Sequence, residues 1–189
     1  MDESVVVAHT RAWVLRSVIG LNLCPFARAP LGNNRVRFAV SRATEPQALR
    51  RDLRIQMDAL AAADPQDLET TLLIHPWVHA DFLDFNDFLD VADEMLCELG
   101  YEGVLQVASF HPDYCFAGAA PDDLENATNR SPYPTLHLLR EDSIERAVQA
   151  IADPRSIFEA NIDTLRELGP EGWAELQAQC AADAAARTT

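Results

Sequence analysis

Two apolar runs in this chain end on the same dipeptide: LLIHPW stops at His75-Pro76 and ASFHPD at His111-Pro112, 36 residues apart. Imidazole is the side chain whose ordinary pKa lies near neutrality, so a histidine held at a strand end can take up or release a proton under physiological conditions. Asp113 follows His111 closely enough to orient the ring or offset its charge. Downstream, Asn129-Arg130-Ser131 places a fork-shaped cation between two hydrogen-bonding side chains, in a segment stiffened by Pro132 and Pro134. Arginine is suited to two-point binding of a carboxylate or phosphate. Together these residues describe acid–base chemistry on a small anionic molecule. His111 is the expected proton donor or acceptor, Asp113 its partner and Cys24 a candidate nucleophile. Arg130, Asn129, Ser131, Tyr114, His75 and His137 are the candidate binding residues.

Each assignment has a structural counterpart. Either histidine can be a strand-end residue bonded to a turn, Arg130 can pin its loop to Asp122 or Asp123, and Cys24 can be a small buried hydrophobe. The set Cys24, His75, His111, Cys115 and His137 contains ligands suited to Zn²⁺ or Fe²⁺, and His111-x-x-x-Cys115 has ligand-like spacing. No C-x-x-C accompanies it, so the expected site has no metal ligand, and Zn or Fe stands only as an alternative cofactor. Phe82, Phe85 and Phe88 read as groups that hold a helix on a sheet. Asp84, Asp87, Asp90 and Asp93 read as the solvated side of that helix.

Periodicity supplies the elements that must position these groups. A first helix is expected over Val5 to Ile19, with Trp13, Val14 and Val18 on its buried side and Gly20 at its exit. Val36 to Val40 alternates as a strand. Thr44 then caps a helix that carries Pro46 in its first turn and Leu49, Leu53, Met57 and Leu60 on one face, ending near Ala63. Thr70 to His75 is a nearly continuous apolar run of the kind buried on both faces. Asp81 caps a strong helix closed by Gly100, and Val104 to His111 forms the third strand. Thr135 to Arg140 is the fourth, with Thr135 and His137 on one face and Leu136, Leu138 and Arg140 on the other. A helix from Asp142 through Ile151 and two more, parted by Gly169-Pro170, complete the chain.

Strand, helix, strand, helix, strand implies right-handed crossovers and parallel strands one to three, with strand four antiparallel. The expected class is α/β or α+β: one domain over residues 1–189, a small mixed sheet with a βαβαβ core, an N-terminal helix and C-terminal helices. Residues 181–189 are expected to fray into a disordered tail. In this arrangement His75 and His111 both sit at the carboxyl edge of the sheet, where ligands settle in open α/β folds. Their strands are either adjacent, about 5 Å apart, or separated by one strand, about 10 Å apart.

The formal charge of −15 repels phosphate backbones and anionic membrane surfaces, which argues against nucleic-acid and membrane partners. All fifteen cations are arginine, so Schiff-base, P-loop and lysine-base mechanisms are excluded. The N-terminal residues lack the basic start and cleavage site of a secretory signal, and no run of about 18 apolar residues occurs, so a cytoplasmic protein is expected. The scattered cysteines Cys24, Cys97, Cys115 and Cys180 are then reduced, with Cys97 and Cys180 packing within helices.

Four segments, NLCPFA, LETTLLIHP with DFNDFLD after it, ASFHPDYCFAG, and NRSPYPTLHLLREDSIERA, together resemble the bacterial family catalogued as domain of unknown function 1415, over approximately residues 5 to 175. The resemblance implies that the segments belong to one recurring design, and it implies no activity, cofactor or partner. Three readings of function follow: an enzyme acting on a small anionic molecule through a His/Asp/Arg pocket, a non-catalytic protein-interaction module, or a metal-binding regulatory protein. A concave pocket favours the first, and a flat apolar patch of several hundred Å² the second.

Overall fold

The computed structural model describes residues 2–149 and 155–187. Helix α1 (Glu3–Trp13) starts on Asp2, whose carboxylate accepts from the Ser4 amide, and continues into a π-helical segment, Val14–Ile19. A short α2 (Arg28–Gly32), absent from the sequence expectation, precedes β1 (Val36–Val40). Then come α3 (Pro46–Ala62), β2 (Thr70–Ile74), α4 (Phe82–Glu98) and β3 (Leu105–Phe110). A 3₁₀ turn (Leu124–Asn129), also unforeseen, interrupts the long loop before β4 (Thr135–Arg140), α5 (Glu141–Gln149) and α6 (Arg155–Arg187).

The sheet order is β1-β2-β4-β3, with β1 parallel to β2 and β4 antiparallel to both of its neighbours. Both crossovers, β1-α3-β2 and β2-α4-β3, move the chain in the same direction across the sheet. Right-handedness therefore puts α3 and α4 on one face. That face holds the main core, where Leu49, Leu53, Met57 and Leu60 meet Phe85, Phe88, Leu73, Leu136 and Leu138. The opposite face is covered by α1, the π segment and α6, through Val6, Trp13, Val14, Leu72, Ile74 and Cys180. Strand β2 has core on both sides and is buried along its whole length, as its unbroken apolar run requires.

Local signals account for most boundaries. Asp81 caps α4, its carboxylate accepting from the amides of Leu83 and Asp84. Three local expectations are corrected. Glu45, not Thr44, precedes α3, and no side chain caps it; Pro46 at the helix start presets the helical φ instead. Helix α5 starts at Glu141, directly out of β4, whose neighbour supplies the Val104 carbonyl to the Glu141 amide. Its expected end at Ile151 lies outside the described residues. The expected frayed tail is helical over 181–187, because Ala184 is buried; residues 188–189 lie outside the described part. Gly169 does divide α6, with φ 70° and ψ 171°, a conformation glycine adopts without steric cost. Cys97, expected to pack, is exposed. No described helix is long and apolar enough to cross a membrane.

Gly20 is required by contact, not by left-handed backbone. Its φ is −65°, and a Cβ placed there would lie 2.1 Å from the Arg16 carbonyl oxygen, so the exit of the π segment has room for hydrogen alone. Gly20→Ala should therefore destabilise the protein by about 1–3 kcal/mol in a denaturant titration. Arg140 is buried on the α3 side and donates to the carbonyls of Leu60, Ala63 and Leu68, tying the open end of α3 to β4. Arg140→Met removes those hydrogen bonds and should lower unfolding free energy by about 3 kcal/mol in the same assay.

Candidate functional site

His75 and His111 leave the carboxyl ends of β2 and β3, with β4 between them, and both have no exposed surface. Phe85 of α4 lies between the two rings, stacked on His75 at 5.6 Å and against His111 at 5.2 Å, with both interplanar angles 30°. Phe82 and Tyr114 close over His111, and Phe88 packs on His79. The three phenylalanines thus hold α4 to the sheet by packing on imidazoles.

Backbone groups occupy this edge. His111 Nδ1 accepts from the Asp113 amide at 3.0 Å, and Nε2 lies 3.2 Å from the His79 carbonyl, so Nε2 carries the hydrogen. His79 sits in left-handed backbone with φ 56°. His75 Nδ1 donates to the Val78 carbonyl at 3.1 Å. Burial disfavours the charged form of His111, and it pushes His75 down to about 3. Asp113 therefore approaches His111 through its amide.

The remaining candidates from the long loop brace that loop. Arg130 donates to the carbonyls of Tyr114 and Pro121, not to Asp122 or Asp123. Asn129 donates to the Ser109 carbonyl and Ser131 to that of Tyr133. Asn126, which the sequence reading did not select, is fully buried, accepting from the Phe116 amide and donating to the Ala120 carbonyl. The Cys115 thiol faces the carbonyls of Phe116 and Ala119. The pocket expected at this edge is thus replaced by a closed aromatic stack under a self-bonded loop, because the loop's polar side chains find backbone partners within reach, while Nε2 of His75 and of His79 are buried without a hydrogen-bond partner. Among the described residues no group of three or more His, Cys, Asp and Glu side chains could hold a metal ion.

Cys24 and His137 lie elsewhere, and together. Both line a cavity of about 250 Å³ on the opposite face of the sheet, between the π segment, α2 and the strands. Its walls are apolar, from Trp13, Val14, Val18, Leu31, Leu72 and Phe110. Its polar fringe is Thr70, His137, Ser143, Arg140 and the ion pair of Arg35 with Glu69, 2.8 Å apart. Burial raises the Cys24 thiol, against the lowering effect of the Phe26 and Ala27 amides, so the group stays protonated near neutrality. His137 is pushed down to about 4 by burial and is neutral there. Asn161 of α6 holds the cysteine loop by donating to the Leu23 carbonyl at 2.9 Å. Arg16 ties the π segment to α6 through Asp183 and Gln179.

The sequence reading missed Arg35, Glu69, Thr70 and Phe110 as lining residues. The alternation of β3 and β4 was the available signal, since it turns Phe110 and His137 to the face opposite Leu136 and Leu138. What it could not supply was the gap left between that face and its covering segments.

The unfolded chain regains ordinary histidines near 6.5, whereas His75 and His137 are held neutral in the fold. Below that value the unfolded state binds more protons, so stability is complete above about pH 6.5 and falls as pH drops towards 4, with a slope of up to about 1.4 kcal/mol per pH unit for each histidine. Unfolding midpoints measured between pH 7.5 and 4.5 should show this fall, and His75→Gln, if it folds, should flatten it. His111→Ala should cost about 2–4 kcal/mol, as removal of a packed buried ring does.

No curated protein and no solved structure matches the chain. The family model described as "Protein of unknown function (DUF1415)" matches residues 5–175, so this four-segment design of two His-Pro strands, a cysteine loop and a central antiparallel strand belongs to that family.

Proposed function

We propose that this protein binds a small, predominantly apolar molecule in the cavity beneath the Cys24 loop. The observation that carries the reading is the combination of volume and lining. At about 250 Å³ the space exceeds the roughly 150 Å³ that admits a benzene ring into an apolar protein cavity. Its apolar walls and few polar groups are the usual constitution of a small-molecule site. Charge argues for a weakly polar ligand, because Arg35 already has a counterion in Glu69, Arg140 donates to the carbonyls of Leu60, Ala63 and Leu68, and His137 is neutral. A protonated Cys24 and a neutral His137 favour binding over nucleophilic catalysis. Concavity separates this reading from a protein-interaction module, which calls for a flat patch.

Toluene is a suitable first probe. It should raise the melting temperature and change the emission of Trp13, which lines the cavity. Val18→Phe and Leu139→Phe, each made at a lining position, should abolish both effects while leaving the melting temperature without ligand within a few degrees. Absence of any toluene effect on the unmodified chain would defeat the reading.

A further inference from the structure

The cavity's single imidazole has its protons assigned by its neighbours. Strand alternation turns His137 away from the Leu136 and Leu138 core and into the cavity wall, where the residue is largely buried and its ring lies 6.1 Å from Phe110. Its Nε2 is 2.7 Å from Thr70 Oγ1, and the same oxygen is 2.6 Å from the Leu138 carbonyl. A hydroxyl has one hydrogen, and a carbonyl can only accept. Thr70 therefore donates to Leu138, and its oxygen must receive the hydrogen of His137 Nε2. In a neutral ring that leaves Nδ1 with a lone pair, and among the described residues no hydrogen bond reaches it.

From this geometry we infer the class of ligand, an inference that rests on the cavity being a binding site. The ligand is an uncharged molecule with an apolar body and one hydroxyl or ring N–H that donates to Nδ1 of His137. An acceptor left unpaired in an apolar wall costs free energy, and a donor from the ligand recovers it. A carboxylate would set its own lone pairs against that nitrogen, and both lining guanidinium groups are engaged, Arg35 with Glu69 and Arg140 with the carbonyls of Leu60, Ala63 and Leu68. An organic cation would have to compete with Arg35 for Glu69. A neutral donor meets neither obstacle. Thr70 acts as a positioning residue, since it touches the ligand only through the tautomer it imposes on His137.

The test uses p-cresol and p-xylene, a pair of nearly equal size of which only the first can donate, titrated calorimetrically at pH 7 into the full chain. p-Cresol should bind about tenfold more tightly than p-xylene, the value of one net hydrogen bond. p-Toluate, the anion of matching shape, should bind more weakly than either. In His137→Phe the preference for p-cresol should vanish while p-xylene still binds. Should that variant fail to fold, the ¹⁵N resonance of His137 Nδ1 in the unmodified protein gives the same answer, moving with p-cresol and not with p-xylene. Equal affinities for the two probes, or a preference that survives His137→Phe, would overturn the inference and leave the binding cavity standing. If neither probe binds, the cavity reading fails and takes the inference with it.

Discussion

The position of β4 between β2 and β3 is the constraint on which the rest of the molecule depends. Inserted antiparallel between two parallel strands, it separates the two His-Pro ends by one strand width and leaves room for Phe85 between their rings. Its period of two then divides the chemistry of the chain. Leu136, Leu138 and Arg140 go to the side of α3 and α4, whereas Thr135, His137 and Leu139 go to the side of α1 and the π segment. A slip of one residue would bury His137 under α4 and turn Leu136 and Leu138 out of the main core. Pairing on both edges prevents it.

The two faces illustrate opposite solutions to the burial of imidazole. On one, His75 and His111 are packed between aromatic rings and bonded to backbone, so they contribute area and direction but are shielded from solvent. Neutral imidazole tolerates this because its desolvation cost is far below that of the cation. On the other face, His137 lines the cavity and is held by Thr70 through one nitrogen. Rigidity around it comes from distant parts of the chain, with Arg16 and Asn161 linking the π segment and the cysteine loop to α6. The site is thus built on packed elements, and the long polar loop, with Asn126 at its centre, serves as a brace.

Much of the fold was legible because it follows from local periodicity. The bounds of β1 and β4, the Asp81 cap, the exposed aspartates of α4 and the break at Gly169 are set by residues within one or two turns of the place they act. The antiparallel entry of β4 and the opposite orientation of His137 and Arg140 were legible for the same reason. The candidate site was legible only in part. Residue type and spacing singled out His75, His111 and Arg130, but whether such a group faces solvent or a carbonyl depends on atoms tens of residues away. Arg130 meets the Tyr114 carbonyl and His111 that of His79.

The amino-acid order alone determined the four strands and the longer helices, the parallel sense of β1 to β3, and which side chains share a strand face, since chirality and pleat periodicity act over a few residues. Tertiary structure alone decided that β4 would lie inside the sheet, that the His-Pro edge would close around Phe85, and that an unfilled space would remain beside Cys24 and His137. Those outcomes are set by how volumes fit between elements distant in sequence, and a cavity is the part of that fit which no residue occupies.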